Sequence, residues 1–275
     1  VKNERDIDKA WKDFKGKKIK VAKFIEGPLL SCTGCATKYG ILVSPLRYQI
    51  IGDPTITDNK YLWCGNDWDV NNLNNETKNY AHKVVDKIGN HLKNKYGYKG
   101  IFGIDFILDK NSGELYSLEL NPRLLGTTQI YASLQIENEE PPLIDFHILE
   151  FLDAEYNIDI NKLNAKIRKE KKGAHIILRN KFKRNIVIKK SLKPGIYIFE
   201  NDKLIFLRNG YCLQHIKDRQ KEFVVTAVPN KGKVFETDSQ VVRIQTYNKV
   251  LDGNNQVLSN KYKLICKKIY DAIIN

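Results

Sequence analysis

Hydrophobic and polar positions follow two different periods along the chain. Between residues 76 and 95 apolar side chains recur every three to four positions, and Gly97 follows, which predicts a helix. A similar pattern predicts a helix over residues 146–152. Strand-like segments cover residues 18–26, 40–51, 100–108 and 114–120, each next to turn-forming residues. The first part of the chain therefore mixes helices with strands.

The last part of the chain is patterned mainly as short strands. Alternating segments lie at residues 174–179, 185–190, 195–200, 203–208, 222–228 and 241–247, separated by Gly and Pro turns. A helical pattern from about Lys261, with Ser259 as a candidate cap, predicts a C-terminal helix. We place a domain boundary near residue 165, which gives predicted domains at residues 1–165 and 166–275.

Charge and hydropathy limit the classes of protein to which this chain can belong. The net charge is +14, and the excess is concentrated in residues 162–193, which we interpret as a solvated basic connector. Binding of nucleic acid or another polyanion through this stretch is the alternative hypothesis. No apolar run approaches the roughly 20 residues that span a bilayer, and the N-terminus lacks the apolar segment of a signal peptide. We therefore expect a cytoplasmic protein with no membrane partner and no nucleic-acid partner.

Cysteine and methionine usage adds two expectations. The five cysteines do not form the pattern of a secreted disulfide framework. Cys32 and Cys35 stand close together, but a zinc site needs a second close pair, and the nearest candidates, Cys212 and His215, are distant in sequence. We expect reduced thiols with no assigned role. Met is absent, also from position 1, which predicts a processed chain or an excerpt of a longer one.

The candidate chemistry lies in residues 100–123. Strand alternation places Gly103, Asp105 and Ile107 on one face of the first strand. It places Ser117, Glu119 and Asn121 on one face of the second. A turn centred on Ser112 pairs Asp105 with Glu119, because the two are equally far from it. The opposite face is apolar and is predicted to be buried; it consists of Phe102, Ile104, Phe106, Leu108, Tyr116, Leu118 and Leu120.

Two carboxylates that face each other on neighbouring strands repel, so this pair calls for a positive partner. A divalent cation bound by Asp105, Glu119 and the amide oxygen of Asn121 would supply it. Mg²⁺ is typically bound by one or two carboxylates together with substrate phosphates. An ordinary amphipathic hairpin with a polar outer face is the alternative.

This passage resembles the ATP-grasp signature, in which an acidic residue in one strand is followed by Glu-x-Asn-x-Arg at the end of the next. The resemblance implies an α+β fold, namely the C-terminal part of an ATP-grasp domain, with an antiparallel sheet flanked by helices, followed by a small β-rich module. It implies ATP and Mg²⁺ as cofactors, with Mn²⁺ as a substitute. Asp105, Glu119 and Asn121 would be the metal ligands, and Arg123 would contact phosphate or the acyl substrate.

The same resemblance assigns residues 21–26 to the hinge that holds adenine. Lys23, Phe24 and Ile25 would lie at the base, and Glu26 near the ribose hydroxyls. The motif is degenerate, and a plain strand that ends in a surface glutamate is the alternative.

The resemblance also implies an activity. Arg47 and Gln49 occupy positions at which related enzymes place groups that face the reacting phosphate, although a surface strand is the alternative. The implied reaction joins a carboxylate substrate to an amine or thiol acceptor through an acyl phosphate; a non-catalytic nucleotide-binding subunit is another alternative. No lid with a phosphate-binding lysine and a Gly-rich loop can be placed in residues 1–17. We therefore expect the missing N-terminal half to be supplied in cis or by a separate subunit.

Overall fold

The computed structural model describes residues 3–19, 21–253 and 257–274. The helices within these ranges are α1 (Glu4–Asp13), α2 (Asn75–Tyr96), α3 (Thr128–Glu137), α4 (Leu143–Phe151), α5 (Ile160–Ile167) and α6 (Asn260–Ile274). The strands are β1 (Leu29–Thr37), β2 (Gly40–Val43), β3 (Arg47–Ile51), β4 (Trp63–Asp67), β5 (Gly100–Leu108), β6 (Leu115–Asn121), β7 (Ala174–Arg179), β8 (Ile186–Val187), β9 (Gly195–Glu200), β10 (Lys203–Arg208), β11 (Glu222–Thr226), β12 (Val234–Phe235) and β13 (Gln240–Thr246).

One large antiparallel sheet organises the protein. Its strands follow the order β10-β9-β11-β13-β7-β4-β3-β1-β5-β6, β2 pairs with β1, and β8 and β12 form a separate small ribbon. Phe102 belongs to the apolar cluster that contains Val85 of α2, and its neighbour Ile101 to the cluster that contains Phe146 of α4. Because successive strand residues point to opposite faces, helices cover both faces. The expected α+β fold with an antiparallel sheet is confirmed.

The sheet passes across the boundary predicted near residue 165. Strand β7 pairs with β4, in the register Gly65–Ile176, Asn66–His175 and Asp67–Ala174. The division into two domains stays a prediction, and the backbone hydrogen bonds of this sheet join its two parts.

The basic stretch at residues 162–193 is not the solvated connector that its charge predicts. It contains β7, which lies in the interior of the sheet. Lys171 is fully buried, and its Nζ donates a hydrogen bond to Glu140 Oε1 at 2.7 Å. The error arises because a local count of charges does not register an acidic partner that is distant in sequence.

Most predicted elements exist, with two corrections. Helix α2 ends at Gly97, whose φ of +64° favours glycine, as predicted. The segment 40–51 is two strands, β2 and β3, because Pro45 interrupts it. The described part of segment 18–26 forms no strand, and Lys20 lies outside the described residues. The elements outside those predicted are helices α1, α3 and α5 and strands β1, β4 and β12. No helix in the described ranges is long and apolar enough to cross a membrane.

The cysteines in the described chain are free, and all except Cys212 are buried. Burial raises the pKa of the Cys32 thiol to about 11 and that of Cys64 to about 12. These buried thiols are therefore neutral near pH 7, which suits packing rather than nucleophilic chemistry.

A buried carboxylate ties the C-terminal segment to the sheet. Asp67, at the end of β4, accepts hydrogen bonds from the backbone N–H groups of Asp69, Val250 and Leu251. Burial nevertheless raises its pKa to about 6, because desolvation of the charged form outweighs these bonds.

This shift predicts a pH dependence of stability. The pKa of Asp67 is higher in the folded state than in the unfolded state. Its contribution to the free energy of unfolding is therefore fully present below about pH 4 and is lost as the pH rises through 6. The contribution lost is about 3 kcal/mol. We expect the free energy of unfolding of the wild type to fall by this amount relative to Asp67→Asn between pH 4 and pH 7. Urea unfolding at several pH values measures it. Parallel pH profiles of the two proteins would contradict the assignment.

Candidate functional site

The predicted pairing of the two carboxylates is confirmed. In the β5–β6 hairpin Asp105 lies opposite Glu119. The turn is one residue shorter than a turn centred on Ser112 requires, since Leu108 pairs with Leu115, and a β-bulge at Leu118 restores the alignment. Without that bulge Asp105 would face residue 118. The bulge is thus the device that brings Glu119 into the site.

The same bulge corrects the predicted faces of β6. Ser117 pairs with Phe106 and not with a residue of the Asp105 face, whereas Tyr116 pairs with Ile107. Phe102, Ile104 and Phe106 are buried as predicted. Tyr116, Leu118 and Leu120 are 37%, 45% and 38% exposed. The prediction of a wholly buried face was wrong because β6 is an edge strand, and among the described residues no strand lies on its outer side.

Polar side chains on one face of the sheet surround Asp105. Gln49 Nε2 donates to Asp105 Oδ1 at 2.7 Å, and Asn121 Nδ2 donates to Asp105 Oδ2 at 3.1 Å. Burial raises the pKa of Asp105; the charge of Arg47 opposes that shift, and the carboxylate of Glu119 adds to it. A partly desolvated carboxylate beside a second one is an environment that a cation would stabilise.

Arg123 is held next to these groups. Its Nη2 donates to Asn121 Oδ1 at 3.1 Å, and its Nη1 donates to the carbonyl oxygen of Leu124 at 3.2 Å. The side chain is exposed, as is that of Glu119. Arg123 can therefore reach a bound anion while Asn121 fixes its direction.

Arg47 is the most unusual residue of the site. Its side chain is buried, with 1% of its surface exposed, and its Nη2 donates to Thr127 Oγ1 at 3.3 Å. Its Nε and Nη1 have no hydrogen-bond partner among the described residues. Its guanidinium lies 5.5 Å from the ring centre of Trp68, and burial lowers its pKa. A buried guanidinium with free donors is costly unless an anion satisfies it.

The two carboxylates and the amide fit a Mg²⁺ site in chemistry. All three side chains offer oxygen, the ligand atom that this hard cation prefers. In the described ranges no three His, Cys, Asp or Glu side chains are grouped so as to hold a metal ion by themselves. Asp105 and Glu119, with Asn121, therefore need further oxygen ligands, which is the usual situation when Mg²⁺ is bound together with phosphates.

The residues of the predicted hinge lie apart from Asp105. Lys23, Phe24, Ile25 and Glu26 line a cavity of about 500 Å³ together with Asp109, Asn111 and Ser112 of the hairpin turn. The carbonyl oxygen of Glu26 accepts a hydrogen bond from the backbone N–H of Lys110 at 2.9 Å. The structure thus brings the predicted hinge residues to the turn end of β5, four residues beyond Asp105. Phe24 is 77% exposed.

The polar face extends beyond the predicted residues. Cross-strand pairs lead from Asp105 through Ser31 to Arg47. In the next row of the same face Gln49 pairs with Asn66 of β4, which pairs with His175 of β7. These added residues come from strands that are distant in sequence, so no local motif marks them. Thr127 is the exception, since it follows Arg123 closely.

Comparison with known proteins agrees with this fold. Residues 3–127 match the family model of the ATP-grasp domain. A biotin carboxylase from Campylobacter jejuni, solved as an ATP complex, shares 14% identity over 90% of this chain and 50% of its own, with a TM-score of 0.59. An N5-carboxyaminoimidazole ribonucleotide synthetase from Thermotoga maritima shares 13% identity over 99% of this chain and 58% of its own, with a TM-score of 0.55.

A third solved structure contains ligands. The biotin carboxylase domain of 2-oxoglutarate carboxylase from Hydrogenobacter thermophilus, in complex with MgADP and bicarbonate, shares 16% identity over 82% of this chain and 43% of its own, with a TM-score of 0.54. The chain thus spans about half the length of these proteins. No curated protein matches the sequence.

Proposed function

We propose that this chain, whose residues 3–127 match the family model of the ATP-grasp domain, forms the Mg²⁺–ATP-binding portion of an ATP-dependent ligase. The ligase would join a carboxylate to an amine or thiol through an acyl phosphate. The observation that carries the proposal is the placement of Asp105 opposite Glu119 at the end of a hairpin that also presents Asn121 and Arg123. MgADP in the H. thermophilus structure supports the choice of nucleotide and metal.

Each residue of the site has its own role in the proposed phosphoryl transfer. Asp105, Glu119 and Asn121 would hold Mg²⁺, which when bound neutralises charge on the phosphates. The free Nε and Nη1 of Arg47 would donate to phosphate oxygens in a site with little water, where such bonds are strong. Arg123 would steady the oxygens of the acyl phosphate before the amine or thiol attacks its carbonyl carbon and inorganic phosphate leaves.

Adenine has a separate place in the proposal. The cavity lined by residues 23–26 and the hairpin turn lies at the end of β5, the strand that carries Asp105. A nucleotide extended along β5 would place its base there and its phosphates between Arg47 and the carboxylates. This arrangement assigns Lys23, Phe24, Ile25 and Glu26 to nucleotide binding and Gln49 to orienting Asp105.

Thermal unfolding with a non-hydrolysable ATP analogue tests the proposal. A ligand that binds only the folded state stabilises it, by about 2.7 kcal/mol at a hundred times its Kd. We expect an increase in Tm that requires Mg²⁺ and that both Asp105→Asn and Glu119→Gln lose. The control is Glu236→Gln, which removes an exposed carboxylate outside the site. No increase in folded wild-type chain, or an equal one in all variants, would overturn the assignment.

A further inference from the structure

Beyond Arg47, two further arginines of the polar face have no ion-pair partner among the described residues. Residues 121–129 follow the β5–β6 hairpin and cross the sheet. Thr127, in this segment, accepts the hydrogen bond from Arg47. At the end of the segment, Gln129 Oε1 accepts a hydrogen bond from Arg243 Nη1 at 2.9 Å. One short segment therefore links the predicted metal site to a distant arginine on β13.

Arg243 has an arginine as its neighbour. Ile177 of β7 pairs with Arg243, and Arg179 stands two residues further along the same strand, so the two arginines share a face. Arg179 Nη2 donates to the carbonyl oxygen of Trp63 at 2.8 Å, and its Nη1 donates to that of Asp238 at 3.4 Å. These carbonyls hold the guanidinium in place but do not neutralise it.

Neither arginine has a counter-ion within the described ranges. The ion pairs found there include neither of them. The Nε atom of each is buried and lacks a hydrogen-bond partner. Burial and, secondly, the charge of Arg179 lower the pKa of Arg243. Two like charges that are partly desolvated and adjacent are unfavourable, unless an anion binds between them.

The chemistry of the missing partner follows from the donors. A guanidinium presents its N–H groups as a planar fork that matches the oxygens of a carboxylate or a phosphate. The buried Nε atoms are donors only, so an acceptor anion satisfies them, whereas a second cation or an apolar group does not.

Distance separates this pair from the predicted metal site. Strands β1, β3 and β4 lie between β5, which carries Asp105, and β7, which carries Arg179. At the usual spacing of neighbouring strands the two places are about 19 Å apart across the sheet. An anion at the arginine pair is therefore not a ligand of a metal ion held at Asp105.

We propose that Arg179 and Arg243 bind a second anionic group, a carboxylate or a phosphate, on a substrate of this site. The inference rests on the proposed ligase function and adds a substrate class to it. A substrate would carry its reacting group near Arg123 and a further negative charge at its other end. The pair would then fix the orientation of the substrate along residues 121–129.

The test uses inorganic phosphate and acetate as probes on the full chain, at constant ionic strength and without nucleotide. We expect at least one of them to raise the Tm of the wild type. Arg179→Gln and Arg243→Gln should need at least ten times more of that anion for the same increase. Arg184→Gln, which removes an exposed positive charge elsewhere, should behave as the wild type. A response to phosphate alone would identify a phosphate group, and a response to acetate a carboxylate.

Two further measurements separate this inference from the ligase proposal. Both arginine variants should retain the Mg²⁺-dependent response to the ATP analogue, and Asp105→Asn should retain the response to the anion. The absence of any anion response in the wild type, or an equal response in both arginine variants, would overturn the inference. A lost nucleotide response together with an anion response that depends on the arginines would overturn only the ligase proposal.

Discussion

Replacement of Lys171 by Met should lower the free energy of unfolding by about 3–5 kcal/mol, because it leaves a buried carboxylate without its partner. The side chains of Lys171 and Glu140 are 0% and 2% exposed, and Glu140 Oε2 already lacks a hydrogen bond within the described chain. Burial raises the pKa of Glu140 and lowers that of Lys171, which shows how strongly the site disfavours isolated charges. Urea unfolding at pH 7 measures the loss.

The double variant Lys171→Met/Glu140→Gln tests the cause. It should lose less stability than Lys171→Met alone, since no charge then remains buried. Lys268→Met is the matched control, because it breaks the exposed ion pair with Asp202 and should change stability by at most about 1 kcal/mol. Equal losses in the Lys171 and Lys268 variants would show that the buried pair has no special role.

Replacement of Arg47 by Met should separate ligand binding from stability. The affinity for the Mg²⁺–ATP analogue should fall about ten- to a hundred-fold, the usual effect of removing a hydrogen bond to a charged group. Without ligand, the free energy of unfolding should rise by about 1 kcal/mol or more, because a buried cation with two unsatisfied nitrogens disappears. Calorimetric titration measures the first effect and urea unfolding the second.

The expected effects on nucleotide affinity and on stability are opposite in sign, which distinguishes a phosphate-binding Arg47 from one that only packs. If Arg47 served only packing, its replacement would lower the stability of the protein and leave its nucleotide affinity unchanged. Arg184→Met, at an exposed position, should change neither quantity. Reduced stability of Arg47→Met with unchanged affinity would therefore contradict its assignment to the phosphate site.

The β5–β6 hairpin shows which structural features can be predicted from local sequence. Alternation and the position of the turn suffice to pair Asp105 with Glu119, because both are properties of a short segment. The bulge at Leu118 follows neither from alternation nor from the position of the turn, and the predicted faces of β6 were wrong for that reason. The exposure of Leu118 follows from the edge position of β6, which depends on the order of the whole sheet. The roles of Asp105, Glu119 and Asn121 as metal ligands stay predictions.

The remaining site could not be predicted because it is assembled from distant segments. The sequence identifies Arg47 as a candidate but says nothing of its burial or its unpaired nitrogens. Arg179 and Arg243 become neighbours only through the pairing of β7 with β13. Helix α3 was missed for a different reason, since Ser133 and Gln135 are buried along with its apolar residues and blur the amphipathic pattern.

The pairing of β4 with β7 also constrains how the chain can fold during synthesis. Gly65 and Ile176 face each other although more than a hundred residues separate them in sequence. Until β7 leaves the ribosome, β4 has an open edge, and an open edge can pair with other chains. Contacts of such high sequence separation also slow folding, since a long loop must close before they form. The nascent protein is therefore exposed to misassembly in the interval between the synthesis of these two strands.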